Sequence, residues 1–420
     1  MPANIALLGS GVFAKASYLP AILSLHGDVL NLHSIWSRSS SSVESFLSEI
    51  KKESSNSNLT SNSKELKPEL KFGENGLNEI LLNKEIDGVL IVLPISSQAE
   101  IIKKCWKSNK HVLSEKPIAK DLKIAKNLIE EYEKEYKPKG IIWRVAENYA
   151  HEPILREAGK IISNTPELGP ILFWQLNFQG YIEDGSKYQS TTWRTIPDYQ
   201  GGFLLDGGVH WIALLRTVLP LGALPNSIIS IKSLHRTHLL PYDTIQSISL
   251  PLKSSITNSH GPKTKVKTAE FNEKDIIGEI GKSFPTGQIL MSFAISELPN
   301  ELNSKSQING LKIHFLNGLI EITCEFNEIT KQREFIFELI PSIGSSSKNL
   351  KNNKINGPMN GVEIEIKMFC NAINDFKNEK SILEEDDFGK PRDALYDLSV
   401  IQAMLESDGK ELKIDNSIDN

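Results

Sequence analysis

A short strand, a glycine turn and a helix open the chain, and this succession constrains the fold more than any other feature. Asn4-Ile5-Ala6-Leu7-Leu8 is continuously apolar, as in a parallel strand that is buried on both faces. It leads into Gly9-Ser10-Gly11-Val12-Phe13-Ala14, a G-x-G-x-x-A turn, and then into a predicted helix. Gly9 permits the tight turn, Gly11 lets a pyrophosphate approach the backbone, and Ala14 allows the helix to pack closely. Because the helix N-terminus also offers free amide donors to phosphate, this turn is predicted to bind a dinucleotide.

The end of the second predicted strand, Leu30–Trp36, bears on which nicotinamide dinucleotide the turn would bind. NAD-selective proteins place an acidic residue there to bind the ribose 2′-hydroxyl. This chain has Ser37-Arg38-Ser39-Ser40 instead. A guanidinium binds phosphate oxygens in a bidentate way, so Arg38 between the hydroxyls of Ser37 and Ser39 suits a 2′-phosphate. The pattern favours NADP(H) over NAD(H). The alternative is that Arg38 is an ordinary arginine of a surface loop.

The rest of the first half repeats the alternation of strands and helices. This predicts a doubly wound α/β fold, a Rossmann dinucleotide-binding domain, over residues 1–146. Pro94 begins the loop after the buried strand Asp87–Leu93, at the carboxyl edge of the sheet, where the loop could touch the nicotinamide ribose. Residues 51–67, rich in Ser, Asn and Lys, interrupt the alternation and are predicted to be a surface insertion without a chemical role.

The second half, residues 147–420, has a different pattern. Strands follow one another without helices between them, which predicts an α+β domain with a large, mostly antiparallel open sheet. Two polar stretches, Lys253–Lys265 and Ser342–Asn356, are predicted to be loops. Two helices, Val362–Phe376 and Pro391–Glu406, are predicted to close the chain.

Composition excludes several classes of protein. The 420 residues are enough for two domains. A net charge of -5 and a pI near 6.1 give no support for nucleic-acid binding. No apolar run reaches the roughly 18 residues of a membrane helix, and the first residues lack a secretory signal. The three cysteines, Cys105, Cys324 and Cys370, are far apart and show neither metal spacing nor a disulfide framework. We therefore expect a cytoplasmic protein with no metal site.

A charged pair follows the strand His111-Val112-Leu113-Ser114. Glu115 and Lys116 come next, and Pro117, which has no amide hydrogen for a sheet ladder, ends the strand. Open α/β sheets bind their ligands at the carboxyl ends of their strands, so both residues are predicted to lie beside the cofactor. Taken alone, the pair is more typical of a solvated turn, since lysine is mostly exposed.

One passage of the second half combines glycines with an acid and a histidine. Gly201-Gly202 precedes Asp206 and His210, which are four residues apart and would share one face of a helix. A histidine is the natural proton carrier near neutral pH, and a carboxylate beside it can set its orientation. The alternative is a helix that Asp206 caps, with a buried His210 that has no chemical role. Two ligands without a third do not make a metal site, and His235 and His238 are predicted to be surface residues.

Three motifs, taken in order, resemble the glucose–fructose oxidoreductase / inositol dehydrogenase (Gfo/Idh/MocA) family. They are the glycine turn, Glu115-Lys116-Pro117 and the passage Gly201-Gly202-x-x-x-Asp206-x-Gly208-x-His210. The similarity spans nearly the whole chain and includes Leu19-Pro20-Ala21 and Trp193-Arg194. The resemblance implies NAD(P)-dependent redox chemistry on sugars, cyclitols or related carbonyl compounds. It also implies oligomers through the second sheet, and we expect a homodimer.

The resemblance implies a role for each of three residues. Lys116 would contact the substrate oxygen and the nicotinamide end of the cofactor, Asp206 would orient the substrate, and His210 would move the hydroxyl proton. This agrees with the chemistry, because hydride transfer creates an alkoxide-like oxygen that a cation stabilises and an imidazole protonates. The same resemblance suggests four substrate contacts: Asn148, Tyr149, Trp193 and Arg194.

The sequence departs from the family pattern at two places. The Pro-Asn-x-x-His loop of relatives reads Pro94-Ile95-Ser96-Ser97-Gln98, and the acid often found three residues after the catalytic histidine is Ala213. These changes concern the ribose and substrate contacts. Our leading hypothesis is an NADP(H)-dependent oxidoreductase acting on a small sugar, polyol or carbonyl substrate. The alternative is a non-catalytic, NADP-sensing regulatory protein on the same fold, in which the lysine and histidine motifs would be degraded.

Overall fold

The first half of the chain folds into a six-stranded parallel sheet. The computed structural model describes residues 2–56, 66–252, 257–258, 282–283, 285–297, 309–343, 350–379 and 388–415. The elements of the first half are β1 (Ala3–Leu8), α1 (Leu19–Leu25), β2 (Leu30–Ser37), α2 (Ser40–Asn56), β3 (Glu69–Phe72), α3 (Gly73–Leu82), β4 (Gly88–Ile91), α4 (Ile95–Lys107), β5 (His111–Glu115), α5 (Leu122–Glu131) and β6 (Trp143–Ala146). A π-helical turn, Ala14–Tyr18, joins the glycine turn to α1.

The strand order is β3-β2-β1-β4-β5-β6, and every neighbouring pair is parallel. This order confirms the predicted Rossmann sheet. Both faces of β1 are buried, with Ile5 and Leu7 in one apolar core and Ala6 and Leu8 in the other. Helices therefore cover the sheet on both sides, which explains why the first strand is continuously apolar.

The predicted surface insertion at 51–67 begins as the end of a helix. Residues 51–56 continue α2, and residues 57–65 lie outside the described part of the chain. The short edge strand β3 was not predicted, because its residues Glu69–Phe72 alternate charged and apolar side chains over only four positions.

The second half contains a nine-stranded sheet. Its elements are α6 (Pro153–Asn164), β7 (Ile171–Gln179), α7 (Thr192–Thr195), α8 (Phe203–Asp206), α9 (Gly208–Val218), β8 (Ser227–Ser233), β9 (Thr244–Leu250), β10 (Thr257–Asn258), β11 (Lys282–Ser283), β12 (Thr286–Ser292), β13 (Gly310–Phe315), β14 (Gly318–Asn327), β15 (Gln332–Pro341), β16 (Asn353–Pro358), α10 (Gly361–Lys377), α11 (Pro391–Glu406) and β17 (Leu412–Lys413). The strand order is β16-β15-β14-β13-β7-β12-β9-β8-β17, and β10 pairs with β11 separately.

Within the nine-stranded sheet, β7 and β12 are parallel and the other described pairs are antiparallel. This confirms the predicted mostly antiparallel sheet. The predicted loop Ser342–Asn356 is wrong at its end, where Asn353 begins the edge strand β16. Of the predicted loop Lys253–Lys265, only the strand residues 257–258 lie within the described part.

Helix α10 connects the two halves. It packs against α1 and the strands β1, β5 and β6, and it contributes Ile366, Phe369 and Ile373 to one core of the first sheet. Its N-terminus is capped by Glu152, whose two carboxylate oxygens accept hydrogen bonds from the amides of Asn360 (3.1 Å) and Gly361 (3.0 Å). Within the described residues, no helix is both long enough and apolar enough to cross a bilayer.

Candidate active site

A cleft of ≈ 1060 Å³ lies between the carboxyl edge of the first sheet and the segment that carries α7, α8 and the start of α9. Its lining includes the three predicted catalytic residues, Lys116, Asp206 and His210. It also includes most of the predicted cofactor-binding residues: Gly9, Gly11, Val12, Phe13, Ala14, Ser37, Arg38, Pro94 and Glu115. Trp193 and Arg194 line it as well. Ser39, Asn148 and Tyr149 are not among its lining residues. The motifs that are far apart in sequence thus surround one cavity.

The glycine turn has the geometry that a pyrophosphate requires. Gly9 has φ +120, and a Cβ there would lie 2.1 Å from the carbonyl oxygen of Val92, so no other residue fits. A Cβ on Gly11 would meet nothing within 4 Å, so the backbone there borders open space. The buried Ser10 hydroxyl has no hydrogen-bond partner among the described residues. These residues fit the phosphates of a dinucleotide, which would use the free amides and this hydroxyl.

Arg38 lies at the end of β2, beside the first turn of the 17-residue helix α2. Arg38 and Ser42 both line the cleft, and the Ser39 hydroxyl is 2.9 Å from the Ser42 hydroxyl. A guanidinium next to the amides of a helix N-terminus and to serine hydroxyls is a suitable environment for a phosphate group. Ser39 does not itself border the cleft, and its hydroxyl contacts Ser42, which does.

Asp206 lies between two cations. Its Oδ1 accepts a hydrogen bond from Lys116 Nζ (2.9 Å), and its Oδ2 accepts one from Arg194 Nε (2.8 Å). Burial alone would raise the pKa of Asp206, but the charges and hydrogen bonds of Lys116 and Arg194 hold the pKa of this carboxyl well below its usual range. Arg194 also lies over the ring of Trp193, 3.9 Å from its centroid. Asp206 therefore fixes Lys116 and Arg194 in the cleft.

The carboxylate partner of His210 is Glu147 and not Asp206, although the four-residue spacing would have allowed the aspartate to orient the histidine. His210 Nδ1 is 2.6 Å from Glu147 Oε1, and Tyr149 stacks on the imidazole with ring centroids 4.8 Å apart. Burial would raise the pKa of Glu147, but the interactions with His210, the charge of Lys116 and the Tyr149 amide together lower it. An ionised Glu147 accepts the Nδ1 proton and leaves Nε2 as the other ring nitrogen for the cleft.

Helix geometry explains the change of partner. The helix predicted to hold Asp206 and His210 is interrupted at Gly207, so Asp206 ends α8 and His210 lies in the first turn of α9. A Cβ on Gly207 would lie 2.6 Å from the Phe293 ring. Gly207 itself keeps helical dihedral angles (φ -91, ψ -29), and its lack of a side chain leaves room for the Phe293 ring. On either side of this break, Asp206 contacts Lys116 and Arg194, whereas His210 contacts Glu147.

Glu115 forms the inner wall of the cleft and is 7% exposed. Its Oε1 accepts a hydrogen bond from the Tyr18 hydroxyl at 2.7 Å. Burial raises the pKa of Glu115 to about 7, against the charge of Lys116 and the hydrogen bond from Tyr18. This carboxyl is therefore expected to gain or lose its proton near neutral pH.

The remaining candidates lie outside the cleft. Asn148 is beside Glu152 and hydrogen-bonds its carboxylate, and Tyr149 lies behind His210. His235 is exposed, as predicted, but its Nδ1 is 2.9 Å from the buried Asp243. In the described ranges, no group of three or more His, Cys, Asp or Glu side chains could hold a metal ion.

The Rossmann sheet, the second sheet and the cleft between them define a dinucleotide-binding oxidoreductase. Residues 3–138 match the GFO_IDH_MocA model, an oxidoreductase family with an NAD-binding Rossmann fold. The dehydrogenase FPY6 of Fusarium mangiferae is 31% identical over 411 residues, which is 96% of each chain. The protein belongs to the Gfo/Idh/MocA family of NAD(P)-binding oxidoreductases.

Two solved structures share the fold over nearly the whole chain. KijD10, a 3-ketoreductase from Actinomadura kijaniata in complex with NADP and TDP-benzene, has a TM-score of 0.64 and 16% identity, with 96% of this chain and 97% of that chain covered. Levoglucosan dehydrogenase in complex with NADH and levoglucosan has a TM-score of 0.66 and 15% identity, with 99% and 100% covered. At this identity the likeness establishes the architecture alone.

Proposed function

We propose that this protein is an NADP(H)-dependent oxidoreductase that transfers a hydride between the nicotinamide and a small sugar, polyol or carbonyl substrate. The observation that carries the proposal is that Lys116, Asp206 and His210 border the same cleft as the glycine turn. The intact arrangement of these three residues favours catalysis over a purely regulatory role, because a sensor has no need of a positioned proton carrier.

The chain supplies a cation and a proton carrier to the reacting oxygen. When bound, the nicotinamide accepts or donates the hydride. Lys116 Nζ uses two of its three protons on the Asp206 carboxylate and carbonyl, at 2.9 and 2.6 Å, and keeps one for the substrate oxygen. In the oxidation direction, His210 Nε2 takes the hydroxyl proton as the carbon–oxygen double bond forms, and Glu147 stabilises the resulting imidazolium.

The choice of NADP(H) rests on Arg38 and its serine neighbours at the end of β2. The acid that would bind the ribose 2′-hydroxyl of NAD is absent from Ser37-Arg38-Ser39-Ser40. KijD10 was solved with NADP and levoglucosan dehydrogenase with NADH, so both cofactors occur on this fold. KijD10 is a 3-ketoreductase and the other protein is a levoglucosan dehydrogenase, which supports a carbonyl or sugar-related substrate for this chain.

The experiment that tests the proposal is a parallel fluorescence titration of the purified protein with NADPH and NADH. We expect NADPH to bind at least about tenfold more tightly than NADH, since one charge-assisted hydrogen bond contributes about 1.5–3 kcal/mol of binding free energy. A screen of aldoses, polyols and small aldehydes with the preferred cofactor would then identify which compound the enzyme turns over. Binding of neither dinucleotide would refute the proposed function.

We further propose a cytoplasmic homodimer that forms through the open face of the second sheet. The helices α6 and α11 pack on one face, and the other face bears a groove of ≈ 800 Å³. The exposed side chains of Ile231 and Ile248 lie in this groove on adjacent strands, next to Gln288 and Gln175. A cytoplasmic location is supported by the three buried cysteines, which are all free.

Light scattering after size-exclusion chromatography tests the dimer. The wild type should have twice the mass of one chain, and Ile248→Glu should have the mass of one chain because it would bury a charge in the interface. Ile329→Glu, in the exposed hairpin between β14 and β15, is the matched control and should remain dimeric. A wild-type protein with the mass of a single chain would rule out the dimer.

A further inference from the structure

One oxygen of the Glu115 carboxyl is left without a partner at the wall of the cleft. Glu115 lines the cleft and is 7% exposed, and its Oε1 accepts the hydrogen bond from the Tyr18 hydroxyl at 2.7 Å. Within the described part of the chain, its Oε2 makes no hydrogen bond and is not sealed from the cleft. A carboxylate can accept about four hydrogen bonds, so a buried one with a single donor is incompletely satisfied. The Oε2 atom therefore offers an acceptor to a bound molecule.

Tyr18 holds this carboxyl from the segment that follows the glycine turn. It is the last residue of the π-helical turn Ala14–Tyr18 and is fully buried. Its ring packs edge-on against Phe13, with ring centroids 5.8 Å apart, and Phe13 itself lines the cleft. Because Tyr18 and Glu115 are 97 residues apart, their hydrogen bond joins the end of β5 to the glycine turn. A donor on a rigid, buried ring thus restricts the rotation of an otherwise flexible side chain.

The neighbouring cations are committed to another carboxylate. Lys116 follows Glu115 in the chain, but its Nζ donates to the carboxylate and the carbonyl of Asp206. Arg194 Nε donates to the same carboxylate. In the described ranges, no cation forms an ion pair with Glu115. The donor that completes the Glu115 carboxylate must therefore be an N–H or O–H group of the ligand in the cleft.

The chemistry of hydride transfer indicates which donor of the cofactor this is. Lys116 and His210 would bind the reacting oxygen, so the carbon C4 that carries the hydride must lie beside them. The carboxamide is attached to the neighbouring ring carbon, C3, and its nitrogen has two N–H donors. The ribose is attached to N1, on the opposite side of the ring. Since Glu115 ends β5 and directly precedes Lys116, the carboxamide is the donor group nearest to this strand end.

We propose that Glu115 binds the carboxamide N–H of the nicotinamide and that Tyr18 is its positioning residue. This inference rests on the proposed function, because it places the nicotinamide beside Lys116. The carboxylate accepts a hydrogen bond, and no covalent bond changes. A carboxamide held in this way restricts the rotation of the nicotinamide ring, so the contact determines which face of the ring meets the substrate. Tyr18 acts through Glu115 and does not touch the cofactor.

The test is isothermal titration calorimetry with three oxidised cofactors at about pH 8, above the pKa of about 7 of Glu115. NADP⁺ has the amide donors, its thioamide analogue retains them, and its 3-acetylpyridine analogue has a methyl group in their place. A hydrogen bond to a charged acceptor is a strong one. The wild type should therefore bind NADP⁺ and the thioamide analogue about 10–100-fold more tightly than the acetylpyridine analogue.

Two variants locate the origin of this preference. Tyr18→Phe removes only the hydroxyl and should lower the preference about tenfold, while NADP⁺ still binds through its phosphates. Glu115→Gln should abolish it, because Tyr18 would hold the amide oxygen and the amide nitrogen would face the cleft. That donor binds only a carbonyl oxygen, which NADP⁺ and the acetylpyridine analogue both have. Tyr396→Phe is the matched control and should keep the wild-type preference, since its buried hydroxyl donates to the Pro225 carbonyl, away from the cleft.

The outcomes separate this proposal from the proposed function. A wild type that binds NADP⁺ and the acetylpyridine analogue equally would overturn the contact, as would a preference that persists in Glu115→Gln. A preference that Glu115→Gln loses and Tyr18→Phe keeps would refute the role of Tyr18. Glu115→Gln still decides the contact if Tyr18→Phe does not fold. In each of these cases NADP⁺ binds and the proposed function stands, whereas a wild type that binds none of the three cofactors would refute the function itself.

Discussion

At the scale of the residue, the cleft is built from charges that depend on one another. Asp206 binds both Lys116 and Arg194, so removal of this one carboxylate would leave two cations without their partner. Arg194 is further confined between Trp193 and Tyr188, 3.9 and 5.5 Å from the ring centroids. The arrangement holds an ammonium group at a fixed place while the aromatic rings leave an apolar surface beside it. Such a surface suits the C–H face of a sugar.

Removal of the ammonium or the imidazole should abolish turnover without preventing cofactor binding. Lys116→Ala and His210→Ala should each lower kcat/KM by about 10²–10⁴-fold, the usual contribution of a positioned proton carrier or charge. NADPH binding should change little, because the proposed phosphate contacts come from the glycine turn and Arg38. The measurement is steady-state kinetics together with the fluorescence titration. His235→Ala is the control, since His235 lies outside the cleft, and near-normal turnover in either cleft variant would remove that residue from the mechanism.

Arg38 should determine which dinucleotide binds. Arg38→Ala should weaken NADPH binding roughly 10–100-fold and leave NADH binding unchanged, because only NADPH carries the 2′-phosphate that the guanidinium would hold. Arg38→Asp should go further and favour NADH, since a carboxylate there can accept the ribose 2′-hydroxyl. Parallel titrations measure both. Equal weakening of the two cofactors by Arg38→Ala would show that Arg38 does not contact the 2′-phosphate.

The sequence could predict the residues of the site but not all of their partners. Lys116 and His210 were predictable because a proline-terminated strand and a glycine-flanked acid and histidine leave a local pattern. Glu147 left no such pattern, since it is 63 residues from His210 and simply follows a strand. Pairs formed by tertiary folding have no periodicity that a single sequence can show.

At the scale of the element, long apolar segments were predictable and short polar ones were not. The helix Pro391–Glu406 has its predicted bounds, and the helix predicted at Val362–Phe376 runs from Gly361 to Lys377. The edge strand β16 has the sequence Asn-Lys-Ile-Asn-Gly-Pro and pairs with β15 alone. Its side chains show no apolar alternation, so only its backbone hydrogen bonds identify it as a strand. The same reasoning explains why the break between α8 and α9 was missed, because the tight contact of Gly207 with Phe293 is a tertiary one.

Helices α9 and α11 are joined by an ion pair whose loss should destabilise the fold. Arg216 donates from Nε and Nη2 to the two oxygens of Asp397, at 2.9 and 2.8 Å, and both side chains are largely buried. Arg216→Met should lower the free energy of unfolding by about 3–5 kcal/mol, because it leaves a buried carboxylate without a cation. The double variant Arg216→Met/Asp397→Leu should recover most of that loss. Urea denaturation measures both, and a single variant as stable as the wild type would contradict the argument.

At the scale of the whole molecule, the cleft depends on segments from both halves of the chain. The first sheet supplies the glycine turn, Arg38 and Lys116, and the second half supplies Asp206 and His210. Helix α10 lies under the first sheet although it comes more than 200 residues later, and Glu152 caps its N-terminus. On the other face of this sheet, a single apolar core includes Ala6 and Leu8 of β1 together with Leu205 and Val209 of α8 and α9. The groups that would bind the cofactor and those that would move the proton are therefore held by packing that spans both halves.

Burial of acids beneath the cleft should make the stability of the whole molecule fall as pH rises above 7. Glu365, a buried residue of helix α10, has a raised pKa in the folded state, so its stabilising contribution is complete below the unfolded value near 4.5 and is lost as pH rises toward the folded one. His111 and His151, whose pKa values burial lowers to about 4, act in the opposite direction, but their effect is complete by about pH 7.

Between pH 7 and 8, each proton retained only by the folded state costs up to about 1.4 kcal/mol per pH unit. The free energy of unfolding from urea titrations of the cofactor-free protein should therefore decrease over this range. Glu365→Gln cannot lose that proton and should show a flatter dependence, whereas Glu363→Gln, on the same helix and bonded to Ser24, should match the wild type. A wild-type stability that rises between pH 7 and 8 would contradict the raised pKa values of the buried acids Glu115, Glu152 and Glu365.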